Sequence, residues 1–150
     1  MDAARIEIPN ARAPFDGVLT GGQPTPAQLG AAQGAGYRTV VNLRPDTEMT
    51  DWNEADRARA LGLNYVSIPV AGADGLTEDN ARALAEVVDD PDSRPLIVHC
   101  ASGNRVGALF ALKAAWVDGE DPDRALDIGR QAGLTGLEDH VRARLERGSA

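Results

Sequence analysis

The sequence contains a single cysteine, Cys100, among its 150 residues. One cysteine cannot form an internal disulfide, so the composition is not that of a small secreted domain held together by disulfide bonds. Aromatic residues make up only 4% of the chain, so the core has to be built from Leu, Val, Ile and Ala. The first residues show no apolar signal segment, and no stretch is long and apolar enough to span a membrane. We therefore expect a cytoplasmic protein without a membrane partner.

Positive charge is also scarce, because the formal net charge is −8 and Lys113 is the only lysine. Nucleic acids are usually bound by basic patches, so we expect no nucleic-acid partner. A single arginine in a pocket can still bind a small anion, and the overall charge does not exclude such a substrate. Two histidines and one cysteine cannot by themselves form a protein zinc site. The sequence therefore predicts neither a metal nor a cofactor.

Short apolar segments alternate along the chain with amphipathic ones. Five short segments predict strands: 4–9, 17–22, 37–44, 63–70 and 94–99. Six longer segments predict helices: 25–36, 51–62, 77–90, 105–119, 121–133 and 134–147. Thr25, Asp51 and Thr77 are the expected N-caps of the first three helices. This alternation predicts one α/β domain over residues 1–150, with a central, mostly parallel sheet flanked by helices.

Candidate functional residues follow several of the predicted strands. Arg44 ends one strand segment, and the loop 71–75 and Cys100 each come directly after another. Because functional groups in open α/β sheets collect at the carboxyl ends of the strands, we expect these residues to share one edge of the sheet.

Residues 99–105, HCASGNR, join a predicted buried strand to a predicted helix. A cysteine at a helix N-terminus lies near the positive end of the helix dipole and near free backbone amides, and both stabilise a thiolate. The anion-binding amides are expected to come from the residues that follow the cysteine: Ala101, Ser102, Gly103, Asn104 and Arg105. Gly103 allows the tight turn.

Two side chains are expected to complete this loop. Arg105 should direct its guanidinium fork at the same anion, and His99 should hydrogen-bond to loop carbonyls. The alternative is an inert core cysteine beside a helix-capping arginine. The combination of strand, His-Cys, Gly, Arg and helix favours a nucleophilic thiolate that faces an anionic substrate.

The segment HCASGNR resembles the phosphate-binding loop of the cysteine-dependent tyrosine and dual-specificity phosphatases. Together with residues 17–48 and 63–70, it is similar in order and spacing to bacterial phosphatase-like domains named after beta-lactamase hydrolase-like proteins, a family also known as phosphatases of unknown function. The resemblance covers about residues 15 to 118. It implies a dual-specificity-phosphatase-like fold and hydrolysis of a phosphomonoester, either phosphotyrosine or a small aryl or alkyl phosphate, through a phosphocysteine on Cys100.

Two features depart from the tyrosine phosphatases. They place five residues between the cysteine and the arginine, whereas this chain has four, and the Ser or Thr that usually follows their arginine is Val106 here. The pattern C-x-x-G-x-R also resembles the active loop of single-domain rhodaneses. The alternative function is therefore a sulfurtransferase that carries a persulfide on Cys100, with thiosulfate or a persulfide as donor and a small thiol or cyanide as acceptor. A third interpretation is a non-catalytic anion-binding module.

In the phosphatase superfamily, an aspartate on a separate loop protonates the leaving oxygen. Asp74 matches that place, although an ordinary Asp-Gly turn explains it equally well. Three more residues are supporting candidates at the same edge: Arg44, Asp46 and Gln23. Arg44 can add positive charge to the rim of the pocket, and a solvated surface arginine explains it at least as well. Gln23 also fits a turn before a helix. Glu54 and Trp52 suit a pocket cover or simply an amphipathic helix.

Overall fold

The computed structural model describes residues 6–49 and 51–147, in which five strands form one sheet. The strands are β1 (Arg12–Phe15), β2 (Val18–Gly21), β3 (Thr39–Asn42), β4 (Asn64–Ser67) and β5 (Leu96–His99), in the spatial order β1-β2-β5-β3-β4. The helices are α1 (Pro26–Gly34), α2 (Glu54–Ala60), α3 (Glu78–Val88), α4 (Asn104–Trp116), α5 (Pro122–Ala132) and α6 (Glu138–Arg147). Only β1 runs antiparallel to its neighbour. The predicted α/β fold with a mostly parallel sheet is confirmed.

The sheet is covered by helices on both faces. Successive residues of a strand point to opposite faces, so adjacent apolar residues enter two different cores. The α4 side of the sheet receives Val18, Val41 and Val98, which pack with α3, α4, α5 and α6. The α1 side receives Leu19, Val40 and Ile97, which pack with α1 and α2. Burial on both faces explains why each central strand carries apolar residues at adjacent positions.

The carboxyl ends of the parallel strands meet at one edge of the sheet. Gly21 of β2 and Asn42 of β3 both lie in register with His99 of β5, and Ser67 of β4 lies in register with Asn42. The segments that follow these strands carry Gln23, Arg44, the loop 71–75 and Cys100. The expected common edge is therefore present.

The first predicted strand is wrong. Ile6 to Pro9 form no strand, residues 4 and 5 lie outside the described residues, and β1 begins only at Arg12. The location of β1 is set by a two-residue turn, because Asp16 and Gly17 connect Phe15 directly to its pairing partner Val18. Gly17 has a positive φ of 76° in this turn. Ile8 is still buried in the core on the α1 side, so its apolar character reflects packing rather than strand pairing.

Two helix starts also differ from expectation. Asp51 does not cap α2, because the side chain of Asn53 accepts the hydrogen bond from the Asp56 amide and the helix begins at Glu54. The last helix begins at Glu138 rather than at residue 134. The intervening residues form a turn, and Leu134 is buried against the core. Within the described ranges, no helix combines the length and apolar character that crossing a bilayer requires.

Candidate active site

The segment 100–105, which we call the anion loop, consists of the connection from β5 to α4 and the first two residues of α4, and it lies at the carboxyl edge of the sheet. Two of its successive carbonyls are bonded to partners outside the loop, since the oxygen of Ala101 accepts from the Gln23 amide at 3.2 Å and that of Ser102 from the Asn10 side chain at 2.8 Å. Among the residues that the structure describes, the amides of Ala101 and Ser102 donate to no protein acceptor. This arrangement leaves backbone N–H groups available to an anion.

The Cys100 sulfur lies at the base of this loop. The Gly103 amide donates to Cys100 Sγ at 3.0 Å, and only 1% of the cysteine is exposed. Gly103 has a φ of 102°, which glycine adopts without the steric penalty of a side chain. The loop thus encloses the sulfur within hydrogen-bond reach of one of its own amides, as expected.

The neighbouring strand end approaches the loop very closely. A Cβ atom at Gly22 would lie 2.6 Å from the carbonyl oxygen of Ala101, so only glycine fits there without displacing the backbone. The Cys100 amide is also tied to this strand end, since it donates to the Gly21 carbonyl at 3.2 Å. The GGQP segment therefore braces the anion loop through main-chain contacts.

The Arg105 side chain has a carboxylate partner in addition to the neighbouring Cys100. Its terminal nitrogens, Nη1 and Nη2, both donate to the Glu48 carboxylate at 2.9 Å, and Nη1 also donates to the Val70 carbonyl at 2.8 Å. The two terminal nitrogens of the guanidinium are thus paired with the Glu48 carboxylate. The pKa of Arg105 is raised, mainly by its hydrogen bonds to Glu48 and to a smaller extent by its interaction with Cys100. Arg105 therefore faces both the sulfur and Glu48.

Glu48 is a site residue that the sequence analysis missed. The hydrogen bond from Arg105 lowers the pKa of Glu48 below its ordinary value, with a smaller contribution from Arg44. Arg44 reaches the same residue through Nε at 3.3 Å from the carboxylate and through Nη2 at 2.8 Å from the Glu48 carbonyl. A carboxylate shared by two arginines remains ionised, and it holds both guanidinium groups in place.

Arg44 and Gln23 lie together, as their predicted positions at one edge imply. Arg44 Nη1 donates to Gln23 Oε1 at 2.9 Å, and Gln23 Nε2 donates to Glu54 Oε1 at 2.6 Å. Neither residue is a solvated surface residue, since both are half-buried. Arg44 therefore lies within a network of side-chain hydrogen bonds and is not a free positive charge at the rim.

His99 contacts a loop carbonyl, as expected, and in addition a buried carboxylate. Its Nδ1 lies 3.3 Å from the Cys100 carbonyl, and its Nε2 lies 2.6 Å from Glu54 Oε2. The side chains of His99 and Glu54 are 0% and 1% exposed. Glu54 is thus a buried partner of the residue that precedes the cysteine. The sequence indicated Glu54 only as a residue that suits a pocket cover or an amphipathic helix, and gave no sign of its pairing with His99.

The remaining candidates are less tightly bound to the loop. Asp74 is exposed on the short turn Ala73–Gly75, and its carboxyl has no hydrogen-bond or ion-pair partner in the described part of the chain. This turn follows Val70, whose carbonyl accepts from Arg105.

Two further candidates also face away from the sulfur or lie apart from it. Asp46 lines a cavity of about 430 Å³ beside Trp52 and Tyr65. The Asn104 side chain faces away from the loop, because it accepts from the amides of Thr135 and Leu137.

Within the described ranges, no group of three or more His, Cys, Asp or Glu side chains is arranged to hold a metal ion. The groups that lie at this edge of the sheet are a thiol, backbone amides, a guanidinium and carboxylates. Together they can bind an oxyanion next to a sulfur nucleophile.

Known proteins share this architecture. The beta-lactamase hydrolase-like protein of Xylella fastidiosa (strain Temecula1 / ATCC 700964) is 35% identical over 102 residues, which are 65% of this chain and 23% of that protein. The chain thus spans about a quarter of the length of the curated relatives it matches. A DUF442 phosphatase from Shewanella putrefaciens CN-32 has a TM-score of 0.68 at 19% identity, over 93% of each chain. TpbA of P. aeruginosa, in complex with pTyr, has a TM-score of 0.64 at 20% identity, over 91% of this chain and 81% of the other.

At these identities the two solved structures establish the fold, and the family follows from the sequence match. A family model described as DSP-PTPase phosphatase fused to NAD+ kinase matches residues 12–138, which include every residue placed in the site above except Asn10. The predicted resemblance to bacterial phosphatase-like domains is confirmed. The chain belongs to this family of dual-specificity-like phosphatases.

Proposed function

We propose that this domain hydrolyses phosphomonoesters with Cys100 as its nucleophile. The observation that carries the proposal is the placement of the Cys100 sulfur inside a loop whose carbonyls are held outward, next to the Arg105 guanidinium. Amide N–H groups and a guanidinium are suited to the three oxygens of a phosphoryl group, and a thiolate is suited to attack its phosphorus.

The proposed reaction has two steps. Cys100 forms a bond to phosphorus while the bond between phosphorus and the leaving oxygen breaks, and Asp74 gives its proton to that oxygen. Water then attacks the phosphorus, the bond to sulfur breaks, the thiolate is restored and Asp74 takes the proton of the water. The exposed Asp74 carboxyl suits this role, because it can exchange protons with solvent and is not held by another described residue.

Arg105 is expected to bind the phosphoryl oxygens in a way that keeps its pairing with Glu48. Since Nη1 and Nη2 already donate to the Glu48 carboxylate, the nitrogen that remains for the anion is Nε, together with the second hydrogen of Nη2. We take phosphotyrosine or a small aryl or alkyl phosphate as the substrate class. The bound pTyr in TpbA, a protein of the same fold, supports this choice.

A sulfurtransferase is the second candidate, and the short loop favours it. Only four residues separate Cys100 from Arg105, and Val106 is fully buried where tyrosine phosphatases usually have a hydroxyl that helps the thiolate to leave. In this reaction the outer sulfur of thiosulfate would transfer to the Cys100 thiolate, the S–S bond would break and sulfite would leave. Cyanide or a small thiol would then take that sulfur and restore the thiolate.

The decisive experiment assays the purified protein with an aryl phosphate and, separately, with thiosulfate plus cyanide or glutathione. Cys100→Ser is the control in both arms. We expect phosphate release that disappears in Cys100→Ser, whose circular dichroism spectrum should match the wild type. Sulfur transfer without phosphate release would replace the phosphatase with the second candidate. Full turnover by Cys100→Ser would refute both, and activity in neither arm with retained binding of orthovanadate would indicate an anion-binding module.

A further inference from the structure

A continuous chain of side-chain hydrogen bonds joins the residue before Cys100 to Arg105. Its members, in order, are His99, Glu54, Gln23, Arg44, Glu48 and Arg105. Each link is 2.6 to 3.3 Å long. The two ends of the chain flank the anion loop, whereas its middle members belong to α2 and to the segments that follow β2 and β3, far from the loop in sequence. The orientations of His99 and Arg105 are thereby connected outside the loop.

Gln23 is the neutral link between the two charged halves of this chain. Its amide nitrogen donates to Glu54, which holds His99, and its amide oxygen accepts from Arg44, which holds Glu48. A side-chain amide can donate in one direction and accept in the other in this way. A carboxylate at this position could accept from Arg44 but could not donate to Glu54.

The backbone of Gln23 fixes this side chain to the anion loop itself. Its amide donates to the Ala101 carbonyl at 3.2 Å, and Gly22 next to it approaches that oxygen too closely for any side chain. Gln23 therefore contacts the anion loop through its backbone, and its side chain bonds to Glu54 in one direction and to Arg44 in the other. Since the His99–Glu54 pair has almost no access to solvent, water cannot replace the bond that Gln23 makes to Glu54 without entering a buried site.

We propose that Gln23 is a positioning residue that couples the orientation of His99 to that of Arg105, and so sets the geometry of the anion site. The inference rests on the proposed function only in taking Cys100 and Arg105 as the groups that meet the anion. Its effect would be transmitted through Glu54 on one side and through Arg44 and Glu48 on the other.

A charge swap tests this role. Gln23→Glu places two carboxylates against each other and removes the donor, so we expect the affinity for orthovanadate and kcat for an aryl phosphate each to fall about ten- to hundredfold. The double variant Gln23→Glu/Glu54→Gln restores one carboxylate and one amide, and its net charge equals that of the wild type. The amide introduced at position 54 can donate to the carboxylate at position 23, and its oxygen can accept from His99. Gln23 Nε2 also donates to the Pro24 carbonyl at 2.9 Å, and a carboxylate at position 23 cannot make that bond in either variant. We therefore expect the double variant to recover part of the loss.

Gln33→Glu, at an exposed position of α1, is the matched control and should behave like the wild type. A second readout follows the NMR signals of the His99 ring and of Arg105 Nε–H, which should both shift in Gln23→Glu and return in the double variant. The proposal is overturned if Gln23→Glu matches the wild type, or if the double variant is no better than Gln23→Glu alone. Vanadate affinity and the NMR signals do not require turnover, so they decide the matter even if the phosphatase assay fails.

Discussion

At the residue scale, the chemistry of the site depends on which charges are paired. Arg105 and Arg44 are held by the Glu48 carboxylate, and His99 is held by Glu54. Asp74 differs from these residues because its carboxyl is exposed and has no partner among the described residues. A free carboxyl can serve as a proton donor and acceptor, whereas a carboxylate shared by arginines serves to position them.

Replacement of Asp74 by Asn should therefore lower kcat for an aryl phosphate by about a hundredfold or more, because the leaving oxygen loses its proton donor. Sulfur transfer should change little, since sulfite and thiolate need no such proton. The exposed position predicts a change in the free energy of unfolding of no more than about 0.5 kcal/mol.

Steady-state kinetics with both substrates would measure these effects. Asp79→Asn is the matched control, because Asp79 is also exposed and lies in the first turn of α3. An Asp74→Asn enzyme with wild-type kcat on the aryl phosphate would show that another group supplies the proton.

At the element scale, α4 is held in place by a close approach between backbones. A Cβ atom at Gly107 would collide with the Leu134 amide nitrogen in the connection between α5 and α6. This contact holds the first turn of α4, which includes Arg105, against that connection. Asn104 adds to it by accepting from two amides of the same connection.

Gly107→Ala should therefore destabilise the protein by several kcal/mol, roughly the 3 to 5 kcal/mol of the severest core substitutions, because the backbone of α4 or of the connection has to move. Gly34→Ala is the contrasting variant, since nothing lies within 4 Å of a Cβ atom at that helical position. It should stabilise the protein by about 0.5 to 1 kcal/mol. Urea denaturation of the two variants would compare them. Equal stabilities would contradict the close approach.

The contact between α5 and α6 includes an ion-pair group with a clear dependence on pH. Hydrogen bonds from Arg130, and secondarily from Arg142, lower the pKa of Glu138 to about 2. Because the pKa of Glu138 is lower in the folded protein than its ordinary value of 4.5, this carboxylate stabilises the fold at pH values above 4.5. The stabilisation disappears as the pH falls toward 2. Because the charges lie at the surface, salt should weaken the effect.

An NMR titration of the Glu138 side-chain carboxyl carbon at low salt should thus give a midpoint near 2 in the wild type. Arg130→Gln should raise that midpoint, because it removes the largest cause of the shift. A wild-type midpoint near the ordinary value of 4.5 would show that the pair does not persist in solution.

At the scale of the whole molecule, one sheet separates two apolar cores. Adjacent residues of β2, β3 and β5 enter opposite cores, so neither core can lose its packing while the sheet remains intact. We therefore expect a single cooperative unfolding transition for the domain.

The two tryptophans allow a direct test, because Trp52 packs on the α1 side and Trp116 on the α4 side. Each of the variants Trp52→Phe and Trp116→Phe leaves one fluorescent reporter, and each can carry Leu29→Ala or Leu112→Ala, which truncates a fully buried side chain in one core. Each truncation should lower the free energy of unfolding by about 2 to 5 kcal/mol, and both reporters should detect the same shift of midpoint. A shift seen only by the reporter in the altered core would reveal two separate folding units.

Much of the fold could be predicted from the sequence, because its signals are local. Thr25 and Thr77 cap helices through bonds to residues three positions away, and four of the five strands follow from short apolar segments. The first strand could not be located in this way, because Ile6 and Ile8 are apolar for core packing while the exposed β1 is defined by pairing with β2.

The sequence by itself determined the α/β class, the succession of strands and helices, and the location of Cys100 and Arg105 at the junction of β5 and α4. These depend on periodicity, caps and turn residues, which act over a few positions. Only the tertiary structure decided that Glu48 pairs with Arg105 across 57 positions of sequence and that Glu54 pairs with His99 across 45. Such pairs form because the parallel strands end at one edge, and no local pattern specifies which of 23 acidic side chains arrives there.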